Sequence, residues 1–158
     1  MREFDALKGY PEPKEPRLVH PKIRTIHNRI VASYRGKEFY DGDRNNGYGG
    51  LRYDGRWTPI AKNMAKEYSL IDRSAILQVG SDKGFLLHEF LQFCPAAKVR
   101  GTEISDYAID NTMSSVKSFV RKDPFTDLPF ADGEFDLVFA IGPVYSLHLH
   151  DAIKCLKE

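Results

Sequence analysis

The sequence predicts an α/β domain in which a parallel sheet is flanked by helices. Three observations predict it. From residue 58 onward, short apolar runs alternate with helix-like stretches, the pattern of strands joined by helical crossovers. The run Ala75 to Phe90, AILQVGSDKGFLLHEF, changes from a strand-like to a helix-like period across Gly80-Ser81-Asp82-Lys83-Gly84. About twenty residues further on, a second apolar run, VRGTEIS, ends in the acid Glu103, a spacing typical of a nucleotide-binding strand–turn–helix–strand unit.

Taken in order, residues 1–22 carry Pro11, Pro13, Pro16 and Pro21 among charged side chains. Proline fixes φ and removes a donor, so this segment is expected to be extended or mobile and to lie on the surface. Residues 23–40, IRTIHNRIVASYRGKEFY, have no clean period and read as a short helix or a short strand. Residues 41–57, DGDRNNGYGGLRYDGRW, hold five glycines and two asparagines among Tyr48, Tyr53 and Trp57. Flexible linkers seldom hold such aromatics, so a structured loop is expected. From Thr58 the pattern turns helical, with Ile60, Ala61, Met64, Ala65 and Tyr68 at three- and four-residue steps. Thr58 is placed to cap this helix and Pro59 suits its first turn. The chain thus divides into an N-terminal extension, 1–57, and a domain, 58–158.

Within that domain strand one is expected at 75–80 and a helix at 84–93, stopped before Pro95. Strand two falls at 98–103. Ser105 caps a helix over 106–115, whose Tyr107, Ala108 and Met113 suit the sheet-facing side. Strand three is expected at 117–121. The turn Asp132-Gly133 precedes strand four at 135–141, and a last helix starts near Leu149. Internal repeats and low-complexity tracts are absent from the sequence.

Lysine and arginine total 23 against 22 aspartates and glutamates, a net charge of +1. This balance gives no support to a nucleic-acid partner. No apolar run approaches the roughly 20 residues of a membrane span, and the N-terminus lacks the apolar core of a secretory signal. Cys94 and Cys155 show no metal-ligand spacing and read as reduced thiols. The expectation is a cytoplasmic protein with no nucleic acid, membrane or metal among its partners.

The chain resembles a class I S-adenosylmethionine-dependent methyltransferase, a Rossmann-like fold. That family's first motif, acid-x-Gly-x-Gly-x-Gly at the end of strand one, corresponds here to Gln78-Val79-Gly80-Ser81-Asp82-Lys83-Gly84. Glu103, in GTEIS, matches the acid ending strand two. Lys122-Asp123-Pro124 matches the place after strand three. LPFADGEFDLVFA resembles the frequent run leading into strand four. The similarity covers residues 58–158, and GYGG-x-x-YDGRW resembles, more weakly, leaders on some bacterial small-molecule methyltransferases.

The resemblance implies S-adenosyl-L-methionine as cofactor and a small-molecule acceptor. It implies cofactor binding by Gln78, Gly80, Ser81, Asp82, Gly84, Glu103, Ile104, Asp123 and Pro124, with Glu103 on the ribose hydroxyls and Asp123 on the adenine amine. It also places strands one and four side by side at the centre of the sheet. Taken singly, Gly80, Gly84 and Asp123 fit ordinary turns, Glu103 a solvated strand-end acid, and Lys83 a solvated turn charge. Only the ordered series carries the reading.

Two residues depart from the pattern. Gln78 stands where the family has an acid, and cannot place a negative charge near the cofactor's ammonium and sulfonium. Asp82 stands at the middle glycine, where its side chain is expected to crowd a close backbone approach. The family's sheet usually has seven strands, whereas this sequence stops in the helix after the fourth. The core therefore reads as incomplete and C-terminally truncated, with self-association or a partner expected at the uncovered strand edge. Methyl transfer asks mainly for alignment and sometimes a base. Tyr145 and His148, with His150 behind them, are candidates beyond strand four, and Tyr48 and Trp57 are placed to pack on the domain or close over a ligand. The alternative is a catalytically weak or inactive relative acting as a binding module. A dinucleotide oxidoreductase is disfavoured because Gly-x-x-x-Gly lacks a third phosphate-facing glycine.

Overall fold

A computed structural model of the chain describes residues 3–13, 18 and 20–157. Among these residues the strands are β1 (Ala75–Val79), β2 (Lys98–Glu103), β3 (Val120–Lys122) and β4 (Leu137–Ala140). They form one sheet in the order β3-β2-β1-β4, and every neighbouring pair is parallel. Gln78 stands opposite Gly101 on one side and Phe139 on the other. Strands one and four are therefore adjacent, as the resemblance implies. β4, however, lies at the edge of the described sheet rather than at its centre.

The helices are α1 (Ile26–Ser33), α2 (Lys37–Tyr40), α3 (Thr58–Glu67), α4 (Phe85–Phe93), α5 (Asp106–Asp110) and α6 (Leu149–Cys155). Residues 23–40, open between helix and strand in the sequence, are helical. Thr25 starts α1 through a capping box with Asn28. Thr58 is the first residue of α3 and not its cap: Trp57 holds that position without a side-chain bond, while Pro59 occupies the first turn as expected. The helix after β2 is half its expected length. Ser105 caps it, accepting from the Ala108 amide at 3.1 Å, but it stops at Asn111. Thr112 Oγ1 donates to the Ala108 carbonyl and the Met113 amide to the Lys83 carbonyl. These bonds tie the chain to the turn after β1, where a longer helix would carry it away. Residues 117–119 form a single 3₁₀ turn, so β3 begins at Val120, later than the sequence suggests.

Alternation along β1 makes the two faces of the sheet. Ile76 packs with Ile60, Met64, Leu86, Leu87, Phe90 and Val99 beneath α3 and α4. Leu77 and Val79 pack on the opposite face with Phe125. The N-terminal segment contributes to the first cluster rather than lying free. Phe4 meets Tyr68 edge-on at 5.9 Å, Tyr10 meets Trp57 at 5.0 Å, and Asn63 donates to the Lys8 carbonyl at 2.8 Å. Pro11, Pro13 and Pro21 lie among the described residues, whereas Pro16 lies outside them.

Gly84 joins the turn to α4 with φ +75, and a Cβ there would come within 2.7 Å of Val116 and 3.0 Å of Thr112. Left-handed backbone costs a non-glycine residue about 1–2 kcal/mol, and overpacking adds about 1–3 kcal/mol. Gly84→Ala is expected to lower the urea midpoint by an amount worth about 2 kcal/mol or more, without changing the slope of the transition.

Candidate functional site

Three N–H groups converge on one buried carboxylate. Glu103, fully buried at the end of β2, accepts from the Asp82 amide at 2.8 Å through Oε2. Its Oε1 accepts from the Ile104 and Ser105 amides at 2.8 and 3.0 Å. A carboxylate offers about four acceptor positions, so one remains on Oε2. Glu103 is thus no solvated acid. It ties the turn after β1 to the start of α5, and Gly80 and Ser81 complete the tie by donating to the Thr102 carbonyl, both at 2.9 Å.

Residues 35–51 close over that turn. Tyr40 is fully buried and stacks with Tyr48 and Tyr107. The Tyr40 and Tyr48 hydroxyls donate to the two oxygens of Asp82, at 3.0 and 2.9 Å. Asp82 holds φ +48, a left-handed position that aspartate tolerates better than most residues. Its side chain is engaged by the tyrosines, so the expected crowding of the turn is relieved by the leader. Burial, then the charge of Glu103, raises the Asp82 pKa to about 6, against the lowering effect of the two phenols and of Arg35. Burial and Asp82 together push both tyrosines far above their ordinary range.

Lys83 corrects the sequence reading. It is 6 % exposed, pairs with both Asp41 oxygens at 2.7 Å and donates to the Leu51 carbonyl at 2.9 Å. Burial pushes Asp41 up, but hydrogen bonds from Lys83 and from Tyr107, the latter at 2.7 Å, bring it below its ordinary value. Arg35 spans the far side. Its carbonyl accepts from Ser105 Oγ at 2.5 Å and its guanidinium donates to Ser146 at 2.8 Å.

Between the turn, the leader and the segment after β4 lies a cavity of about 230 Å³. Tyr10, Tyr48, Trp57, Phe85 and Tyr145 give it an aromatic lining, Gln78, Ser81 and Asp82 its polar groups, and among the described residues no lysine or arginine lines it. Gln78 is 5 % exposed, and neither its Oε1 nor Ser81 Oγ has a hydrogen-bond partner. Buried polar atoms are normally paired. These two are enclosed just behind the wall of one cavity, so a ligand bringing donors there would meet them only after a small shift of that wall. Gly80, with φ +73, packs against Pro143, where a Cβ would come within 2.8 Å.

Other expected site residues are dispersed. Ile104 is 41 % exposed beside Glu103. Asp123 faces Arg121 at 3.3 Å, and its Oδ2 makes no properly angled hydrogen bond; Pro124 is exposed. Tyr145 reaches the cavity although 81 % exposed. His148 precedes α6 without capping it, and neither it nor His150 lines the cavity. The sequence reading missed Arg35, Tyr40 and Asp41. Their only signal was the charge sequence itself, with Tyr40-Asp41 in a glycine-rich leader complementing Asp82-Lys83 in a turn.

A family model described as a methyltransferase domain matches residues 76–158, more than half of the chain. No curated protein matches it. Among solved structures it is similar to the CcbJ methyltransferase from Streptomyces caelestis, at 18 % identity and a TM-score of 0.56, over 80 % of this chain and 51 % of that one. It is also similar to a putative S-adenosyl-L-methionine-dependent methyltransferase from Methanococcus maripaludis, at 16 % identity and a TM-score of 0.54, over 63 % and 48 %. The chain spans about half the length of each. These two likenesses bear on the fold. The family match runs from β1 through the turn, Glu103 and β4, and by it the chain belongs to the methyltransferase-domain family.

Proposed function

We propose that this chain binds S-adenosyl-L-methionine across the carboxyl ends of β1 and β2 and directs its methyl group to a small-molecule acceptor. The observation that carries the reading is the unpaired Gln78 Oε1 at the wall of an aromatic cavity, directly beside the turn that Glu103 ties down. Ligands of open parallel sheets bind at the carboxyl ends of the strands, and this cavity lies there. The cofactor's ammonium offers the donors that Gln78 and Ser81 lack, and its sulfonium charge suits aromatic faces. Glu103 is fully buried and does not line the cavity, so a ribose hydroxyl would reach its free acceptor position only with a shift of the covering leader. Asp123 and Ile104 are the residues we infer to meet the adenine.

When bound, the cofactor supplies an electrophilic methyl group on a positively charged sulfur, which leaves as a neutral thioether. The chain's own part is alignment and desolvation. Trp57, Phe85 and Leu86 keep water from the cavity, and the turn held by Glu103 fixes its floor. Orientation of this kind is worth up to roughly 7–11 kcal/mol of a barrier in well-aligned systems. No histidine lines the cavity, and Asp82, the carboxylate in its lining, has both oxygens engaged by phenols, so the acceptor we infer is one that needs no strong protein base, with Tyr145 at the mouth to orient it. No helix among the described residues is long and apolar enough to cross a membrane.

Titration of the full chain with S-adenosylhomocysteine tests the cofactor reading directly; a saturable heat is expected, and its absence would defeat it. Candidate small-molecule acceptors are then scored by S-adenosylhomocysteine release. Gln78→Glu is expected to tighten S-adenosylhomocysteine about tenfold, because a charged acceptor roughly doubles the strength of the bond to an ammonium. The same change is expected to lower the melting temperature of the unliganded protein, since it buries an unpaired charge. Glu103→Ala is expected to weaken the ligand about tenfold or more and to destabilise the free protein by about 2–4 kcal/mol, three buried N–H groups losing a charged partner. Unchanged affinity in a folded Glu103→Ala protein would assign that acid a structural role alone.

A further inference from the structure

Asp82 replaces a residue type, glycine, that contributes nothing but space. Here its two oxygens each accept a phenol from the leader, Tyr40 at 3.0 Å and Tyr48 at 2.9 Å. The two rings stack, with centroids 5.8 Å apart. Tyr48 in turn is one wall of the cavity beside Gln78, and Trp57 is another. The next residue, Lys83, fastens Asp41 and Leu51 on either side of the same leader segment. The leader is therefore held to the turn at two successive residues, one by charge-assisted hydrogen bonds to a carboxylate and one by a partly buried ion pair.

We propose that Asp82 is a positioning residue for ligand binding, acting through Tyr48 and Tyr40: it fixes Tyr48, with Tyr40 stacked behind it, as the leader-side wall of the cofactor cavity. This rests on the cofactor reading above. The groups facing Asp82 are Arg35, Tyr40 and Tyr48 from the leader and Glu103 from the end of β2, with Tyr145 beyond Tyr48. Ionised, the carboxylate is a far better acceptor for two phenols than a carboxylic acid is. The wall is accordingly firm above the titration of Asp82, near pH 6, and loosens below it.

Stability runs the other way for this group. Its folded value of about 6 lies above the ordinary 3.8, so the folded state takes up the proton first. As pH falls from about 6 toward 3.8 this group adds stability, and as pH rises through the same window it removes stability. A loss of affinity in acid is therefore not unfolding driven by Asp82.

Affinity for S-adenosylhomocysteine, measured by calorimetry from pH 5 to 8 on the full chain, tests the proposal. The wild type is expected to weaken about tenfold as pH falls through 6, the difference between charged and neutral acceptors. Asp82→Asn suits the same left-handed backbone; it is expected to bind about tenfold more weakly at pH 8 and to show no step near 6. Tyr48→Phe is expected to weaken binding in the wild type but to add nothing in the Asp82→Asn background. Additive effects would mean that Asp82 meets the ligand directly, and wild-type affinity with an unchanged pH step in Asp82→Asn would remove any role; either overturns the proposal. Trp57, the chain's only tryptophan, gives a readout without ligand. Its emission is expected to shift to the red as pH falls through 6 in the wild type and not in Asp82→Asn. A missing shift overturns the positioning role, whereas a missing heat at every pH overturns only the cofactor reading.

Discussion

Three backbone N–H groups at the carboxyl end of the sheet have no strand or helix partner: those of Asp82, Ile104 and Ser105. Glu103 accepts all three while fully buried. A carboxylate removed from water is costly unless its lone pairs are filled, and a turn with buried, unpaired amides is equally costly. Each solves the other's problem, which is why the turn after β1 and the turn after β2 hold one geometry. Gln78, Ser81, Asp82 and Lys83 all take their positions from that joint. Had the acid been solvated, as a strand-end residue read singly suggests, the turn would have lacked this support.

The leader then depends on the turn. Asp82 and Lys83 are neighbours of opposite charge, and residues 40–51 answer each of them, with Tyr40 and Tyr48 for the acid and Asp41 and the Leu51 carbonyl for the base. Packing follows the same path. Tyr40, Leu51, Phe85 and Ala108 form one buried cluster drawn from the leader, α4 and α5. The division at residue 57 suggested by composition therefore runs through a continuous interior, and Trp57 packs with clusters on both sides of it.

The strands were legible because hydrophobic period and punctuation are local signals, whereas the pairing of strands one and four was implied by the family resemblance. Gly80, Gly84, Pro95 and Gly133 bound the elements, and strand two at 98–103 is found where the apolar run ends in Glu103. What was not legible depended on tertiary partners. Nothing in DGRWTPIAK says that Trp57, not Thr58, caps α3, and the stop of α5 at Asn111 follows from Thr112 and Met113 bonding back to residues 108 and 83. Lys83 read as solvated because a lysine in a glycine turn usually is; its partner Asp41 lies 42 residues away, beyond the reach of any local pattern. The first-motif residues themselves were legible as positions, while the work of Asp82 and Tyr48 was visible only once the leader was folded over them.

The two departures from the family's first motif offset one another in charge. Removing the acid at residue 78 takes one negative charge from the strand end, and placing Asp82 at the middle position of the turn returns one, close enough to Glu103 for each carboxylate to feel the other. Arg35 is the cation that reaches Asp82, and it is also engaged with Ser146. With Lys83 committed to Asp41 and the three turn amides to Glu103, the cavity lining itself, aromatic and without lysine or arginine among the described residues, is short of positive charge and of N–H donors. Such an imbalance raises the free energy of the unliganded site and lowers it for a ligand that brings both. An ammonium and a sulfonium on one molecule do so. On the proposed reading, a turn with only two of the three family glycines suits that cofactor through its wall: Asp82 holds Tyr48, and the leader with it, against the cavity.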